Sequence, residues 1–267
     1  MGSLISEAQE ILGALRGEIL HVPDLREIFK DWPVDANNNY KEIIPVVESA
    51  FDRLVRNPGL REKYRKANYA RFVSLQTFMN QMRRYIENCD KEQSLRLCGT
   101  LPGMEAYKEL RHGTAAVWTL CALIEYGLGE SFPEHIRCMN ELQTLWAETS
   151  RGIWITNDIL SLKKEIPKDD RADESIVNAV PILMMEEGKS PQQAVDALLA
   201  DLAISVATFE GAANTLAEAA GEGRQAVLRY CDACRCMVTG SIQFTFESTR
   251  YKLAGCMNAD GSLDIPL

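Results

Sequence analysis

Apolar side chains recur at helical spacing in long stretches of this chain, most regularly over 114 to 128, 138 to 164 and 191 to 219. A period of ~3.6 residues gathers such positions on one stripe of an α-helix. Alternating strand-like runs bounded by turn signals are hard to find, so the pattern predicts an all-α protein. Punctuation divides it. Helices are expected over about 41–56, 60–74, 76–96, 104–128, 133–165, 174–187, 191–219 and 222–254. Asn57-Pro58-Gly59, Gly99 with Pro102, Gly127 with Gly129, Pro167, Gly188 and Gly221 to Gly223 separate them. Short connections of this kind suit antiparallel helices around one core. The first 20 or so residues form a mixed amphipathic stretch not expected in the core. Val22-Pro23-Asp24-Leu25 and Asp31-Trp32-Pro33 mark extended or turn segments.

The chain has 267 residues, enough for a single large domain spanning 1–267, and nothing forces a second. A net charge of −9, with no basic stripe interleaved with aromatics, argues against nucleic acid as a partner. No run of about 18 uncharged apolar residues is present, so no membrane span is expected. The start, MGSLISEAQE, lacks the basic and apolar regions of a secretory signal, and a cytoplasmic location is expected. Met1-Gly2 with Ser6 fits the loose myristoylation pattern, but no polybasic segment follows to add a second anchor. Cys231, Cys234 and Cys236 cluster without a second pair or a nearby His to complete a zinc site, so free thiols are expected. His21, His112 and His135 have no evident Ser, Cys or Asp partner by spacing, and triad chemistry is not supported.

Residues 157 to 165 read Asn-Asp-Ile-Leu-Ser-Leu-Lys-Lys-Glu. On a helix each step of four residues turns ~40° past a full turn and rises ~6 Å, so Asn157, Ser161 and Glu165 present an amide oxygen, a hydroxyl and a carboxylate on one stripe. A solvated helix face carries the same residue types. Hard oxygen donors in a row also suit Mg²⁺, which keeps several waters and is typically shared with substrate phosphates.

The stretch resembles, without a gap, the second metal-binding motif of class I terpene synthases, N-D-x-x-S-x-x-x-E, including the Lys before the Glu, here Lys164. Arg111 lies 46 residues before Asn157, the separation of that family's diphosphate-sensing Arg. Leu101-Pro102-Gly103-Met104-Glu105-Ala106-Tyr107 is similar to the family's Pro-led helix start, and Thr114 and Ala115 fall at the linker and effector positions of the helix break. Phe244-Thr-Phe-Glu-Ser-Thr-Arg250-Tyr251 looks like the carboxy-terminal Arg-Tyr pair, with Phe244-Thr245 where a Trp-Ser usually stands. The residue types suit the task. An Arg fork bonds phosphate bidentately, and a Tyr hydroxyl adds a donor that keeps its proton at neutral pH.

The resemblance implies an antiparallel helical bundle in which Mg²⁺, Arg111, Lys164, Arg250 and Tyr251 bind a small-molecule prenyl diphosphate. Farnesyl diphosphate, giving a sesquiterpene, is the expected substrate, and the sequence style looks fungal. Trp118, Trp154, Phe244 and Phe246 are candidate faces for the carbocation, although core packing is the weightier reading for any one of them. A homodimer is compatible with this reading. A prenyltransferase using the same diphosphate site remains an alternative.

The family's other motif, Asp-Asp-x-x-Asp, has no counterpart on another helix facing the clamp; the run with that spelling, Asp169-Asp170-Arg171-Ala172-Asp173, follows directly after the clamp helix. Asp169-Asp170 and the set Glu87, Asp90, Glu92 read as solvated charge. Tyr69-Ala-Arg-Phe-Val-Ser-Leu75 resembles the start of the helix preceding the Asp-rich one, and Phe78-Met-Asn-Gln-Met-Arg-Arg-Tyr85 resembles the helix following it. A block of several tens of residues is therefore expected to be missing near Leu75-Gln76. Its loss would remove most metal-chelating carboxylates, which leaves a catalytically impaired or truncated protein as a competing reading.

Overall fold

The computed structural model describes residues 7–34, 76–98, 101–128, 132, 134–167 and 176–267. The helices expected over 41–56 and 60–74, the Asp169-Asp170 loop and Leu75 lie outside the described residues. The described chain is helical apart from one two-stranded sheet.

Helix α1 (Glu7–Leu15), strand β1 (Ile19–Val22) and a short α2 (Leu25–Ile28) come first, followed by α3 (Gln76–Cys98). The described part of the N-terminal stretch, from Ile11 on, contributes to the core, contrary to the sequence expectation. Leu12 and Leu15 are buried, and β1 pairs antiparallel with β2 (Leu263–Pro266), with Leu20 opposite Ile265 and Val22 opposite Leu263. Alternation within four residues is too short a signal to read alone, and the pairing partner is nearly the whole chain away. On the outward face His21 meets Asp264, Nδ1 to Oδ1 2.7 Å, so this histidine does have an Asp partner, across the strands rather than nearby in sequence. The expected turn at Asp24-Leu25 is a single helical turn, with the Asp24 carboxylate accepting from Arg26 N. Leu20→Ala is expected to cost about 2–5 kcal/mol, while Ile19→Ala, on the exposed face, should change stability by less than about 0.5 kcal/mol; urea unfolding distinguishes the two.

The expected helix over 104–128 is broken into α4 (Met104–Thr114), α5 (Val117–Cys121) and α6 (Ile124–Leu128). Ala116 at φ 59° turns the chain between the first two. A non-glycine residue in that region costs on the order of 1–3 kcal/mol, and periodicity does not announce it. The expected helix over 133–165 is likewise two, α7 (Glu134–Arg137) and α8 (Asn140–Glu165).

Helix α8 is the axis of the fold. Glu141 in its first turn and Lys163 and Lys164 in its last oppose the helix dipole favourably. Leu145, Trp154, Ile155, Ile159, Leu160 and Leu162 are fully buried, and the buried Thr149 and Thr156 hydroxyls donate to carbonyls one turn back. Around it stand α9 (Ala179–Glu187), α10 (Pro191–Ala219) and α11 (Arg224–Glu247). Gly152 permits the closest approach to α11, since a Cβ there would lie 3.2 Å from Val238 Cγ1. Helix α10 starts on a reciprocal cap, Ser190 with Gln193, and Pro191 at its first position. Helix α11 ends at Glu247 rather than near 254. Ser248 turns extended at ψ 124° and its hydroxyl accepts from Arg250 N, opening a tight turn over Thr249–Tyr251.

Candidate functional site

Asn157, Ser161 and Glu165 occupy the last turns of α8, on one stripe as expected. Ser161 is fully buried, and its Oγ donates to Glu165 Oε1 at 2.6 Å. The other carboxylate oxygen accepts from Asn178 Nδ2 at 3.0 Å. Lys164 places Nζ 3.7 Å from Glu165 Oε1 and 4.6 Å from the centroid of the Tyr251 ring. Burial lowers the Lys164 pKa most, Glu165 opposes that, and Arg250 and Arg111 add to the lowering.

Arg111, in the last turn of α4, crosses to this stripe. Its Nη2 donates to Asn157 Oδ1 at 3.2 Å and to Asp158 Oδ1 at 2.9 Å. Nη1 reaches Thr114 Oγ1 at 3.4 Å and lies 4.0 Å from Glu92 Oε2. Burial works to lower the Arg111 pKa, and Asp158, followed by Tyr107, more than offsets it. Asp158 is the hub of this contact. Its Oδ2 accepts from Ala179 N at 3.0 Å and from the Tyr107 hydroxyl in a short hydrogen bond. Desolvation pushes its carboxyl up to about 6, with Arg111 as the largest opposing influence. At neutral pH it is ionised and paired. The Tyr107 hydroxyl, buried beside it, is raised well above its ordinary value by desolvation and then by Asp158.

The carboxy-terminal pair closes the other side. Tyr251 is buried, its hydroxyl accepts from Asn157 Nδ2 at 3.2 Å, and Phe244 packs edge-on against its ring at 6.3 Å. Arg250 is exposed, its guanidinium carbon 6.0 Å from the same ring. Asn157 thus joins three chain segments, with Arg111 on its oxygen and Tyr251 on its nitrogen.

The aromatic candidates divide. Trp154 is fully buried and edge-on to Tyr107 at 6.0 Å, a core position. Trp118 is stacked edge-on against Trp146 at 5.6 Å and has the Arg84 guanidinium 4.7 Å from its ring centroid. Phe246 carries Arg26 at 5.5 Å. Their ring contacts are with protein groups, whereas Phe244 touches the Arg-Tyr pair through the Tyr251 ring. Two cavities, of about 220 Å³ beside Trp32 and Arg235 and about 320 Å³ beside Ser248 and Leu253, have linings that include no clamp residue.

Asp158, Tyr107, Asn178 and Glu92 are the residues sequence reasoning missed. Asp158 sits inside the motif but ~100° round the helix from Asn157, off the oxygen stripe. Tyr107 lies four residues before Arg111, a spacing that shares a face. Glu92 is corrected from solvated charge: its side chain is 17% exposed, accepts from Arg96 at 2.9 Å and faces Arg111. The buried cysteines are ordinary core residues, and burial pushes the Cys231 thiol up to about 12.

The donor set fits a hard divalent cation. Adjacent ligand oxygens around Mg²⁺ lie ~2.9 Å apart when each is ~2.0–2.1 Å from the ion. Ser161 Oγ and Glu165 Oε1, at 2.6 Å, are already near that separation. Among the described residues no three His, Cys, Asp or Glu side chains gather into a metal-holding group. An oxygen site here would therefore combine amide, hydroxyl and carboxylate.

Comparison with known proteins gives a consistent picture. A family model described as terpene synthase family 2, C-terminal metal binding, matches residues 25–206. The sesquiterpene cyclase hepA of Aspergillus oryzae is 32% identical over 197 residues, 72% of this chain and 52% of that protein. The chain spans about half the length of the curated relatives it matches. Among solved structures, the linalool/nerolidol synthase of Streptomyces clavuligerus, in complex with 2-fluorogeranyl diphosphate, superposes with a TM-score of 0.56 at 18% identity, covering 90% of this chain and 74% of that one. The 2-methylisoborneol synthase of Streptomyces coelicolor, with Mg²⁺ and geranyl-S-thiolodiphosphate, gives 0.52 at 16%, covering 80% and 71%. The fold is that of the all-α class I terpenoid synthases.

Proposed function

Because the chain belongs to terpene synthase family 2, we propose that it binds a prenyl diphosphate with Mg²⁺ at the stripe of Asn157, Ser161 and Glu165 and converts it to a terpene. The observation that carries this reading is the contact of Arg111 with Asn157 and Asp158, which brings a permanent cation from another helix onto the oxygen stripe. A cation site beside an anion site is what a metal–diphosphate requires.

Mg²⁺, held by Asn157, Ser161 and Glu165, would supply positive charge to the diphosphate oxygens. The chain's own groups do the rest. Arg111, Lys164 and Arg250 present three cations, and the Tyr251 hydroxyl a fourth donor, to the charge that grows as the allylic C–O bond breaks and its electron pair leaves with diphosphate. Asp158 keeps Arg111 oriented before substrate arrives. Phe244 and the Tyr251 ring lie where an aromatic face meets that site. Farnesyl diphosphate is the proposed substrate, supported by the description of hepA as a sesquiterpene cyclase. Incubation of the purified chain with farnesyl and geranyl diphosphates and Mg²⁺ should release diphosphate and a volatile hydrocarbon or alcohol, read by gas chromatography. No released diphosphate with either substrate counts against the reading.

A second reading is favoured by length. The chain covers 52% of hepA and 74% of a solved neighbour, and the family's Asp-rich motif has no counterpart near Gln76. Under this reading a block of several tens of residues is missing near Leu75-Gln76 from the single domain, and the remaining clamp binds metal weakly unless diphosphate supplies charge. Transcript sequencing across Leu75-Gln76 separates the two: an uninterrupted junction supports the short protein, and intervening coding sequence supports truncation.

A further inference from the structure

Asn178 caps α9, yet its amide does more than a cap requires. With φ −151° and ψ 149°, it is extended, buried to 1% exposure, and its Oδ1 accepts from Val180 N at 2.9 Å. The Nδ2 end faces α8, donating to the Asp158 carbonyl at 2.9 Å and to Glu165 Oε2 at 3.0 Å. This orientation is forced by its neighbours. A flipped amide would set its oxygen against two acceptors and its NH₂ against the Val180 N–H. A serine or threonine would cap the helix as well, but only an amide carries the two donors that reach across.

We infer that Asn178 is a positioning residue for the cation site, holding Glu165 in the rotamer that points its carboxylate along the Asn157–Ser161 stripe. The inference rests on the clamp reading proposed above. Glu165 is the last residue of α8, where a long side chain is least restrained by its own helix. Ser161 holds one of its oxygens and Asn178 the other, so both are fixed before a cation arrives. Asn178 does this with a neutral donor, which leaves the carboxylate's charge for the metal. The adjacent Ala179 N holds Asp158, which in turn holds Arg111. The first residues of α9 thereby orient the anionic ligand of the cation site and the cation of the diphosphate site together. Partners that orient metal ligands from outside commonly set affinity by ~10–100-fold.

Asn178→Ser tests this in the full chain, because the hydroxyl retains the cap acceptor and cannot reach Glu165. Calorimetric titration with inorganic pyrophosphate at fixed Mg²⁺ should show ~10-fold weaker binding or more, with cooperative unfolding retained. In a Glu165→Gln background the same substitution should add little, since the carboxylate it serves is gone; a merely structural cap would add its full effect in both backgrounds. Asn178→Thr serves the same comparison if the Ser variant does not fold. Wild type that binds while Asn178→Ser binds within twofold of it overturns this inference alone. Wild type that binds no magnesium pyrophosphate overturns the proposed function and this inference together.

Discussion

Arg111→Gln is expected to weaken binding of magnesium pyrophosphate by ~100-fold, which corresponds to about 2.8 kcal/mol, and to lower turnover at least as far. The substitution removes a fork that is in place before ligand binds, held by Asp158 at 2.9 Å and by Asn157 at 3.2 Å. It also leaves Asp158 without its cation. Breaking a buried pair by removing one partner typically costs about 3–5 kcal/mol, and the side chains here are 13% and 3% exposed. The cost depends on pH in a stated direction. Asp158 titrates at about 6 in the folded protein against 3.8 for the free carboxyl, and Arg111 is the largest influence holding it down, so the variant's folded value lies higher still. A folded-state pKa above the unfolded one means stability present at low pH and lost as pH rises through the folded value. Urea unfolding should therefore show the variant near wild type at about pH 4 and well below it at about pH 7.5. Equal losses at both would mean that Asp158 is not the group left uncompensated.

Glu165→Gln is expected to raise the Mg²⁺ concentration needed for pyrophosphate binding by on the order of 100-fold, since metal affinity follows ligand charge. Among the three stripe residues it alone carries formal charge. Its shape is retained by Gln, and the amide oxygen can still accept from Ser161. Stability should fall by about 1 kcal/mol, because the Gln amide has one acceptor oxygen for the two donors, Ser161 and Asn178, that hold Glu165, a loss offset in part by removing the like charge beside Asp158. A titration of Mg²⁺ at fixed pyrophosphate reads this directly. An unchanged Mg²⁺ requirement would place the cation elsewhere. The pair of variants separates roles, with Arg111 acting on the anion and Glu165 on the metal.

Much of the fold is legible in the sequence because its signals are local. Ser190-Pro191 with Gln193 opens α10 by a reciprocal cap, and the helix expected over 191–219 is the one found, Pro191–Ala219. The stripe of Asn157, Ser161 and Glu165 needed only helical geometry. The misses are long-range or irregular. Ile19–Val22 becomes a strand only because Leu263–Pro266 lies beside it, and the break at Ala116, which the resemblance implies next to Thr114 and Ala115, leaves no mark in the helical periodicity. Asp158 lies ~100° round the helix from Asn157 and so falls off the stripe that helical geometry marks. Glu92 reads as solvated charge because its pairing with Arg111 exists only when helices α3 and α4 are side by side, while Arg96, one turn on in α3, is a local partner. Arg111, Lys164 and Tyr251, which the resemblance to class I terpene synthases names, lie around the stripe, while Trp118 and Trp154 are engaged by their own neighbours.

The reading as a metal–diphosphate site stands or falls on one titration of the wild-type chain with inorganic pyrophosphate, run with Mg²⁺ and again with Mg²⁺ chelated. Saturable binding with Mg²⁺ that disappears on chelation is the expected result. Heat of binding that is absent in both, or that is the same with and without Mg²⁺, would contradict it.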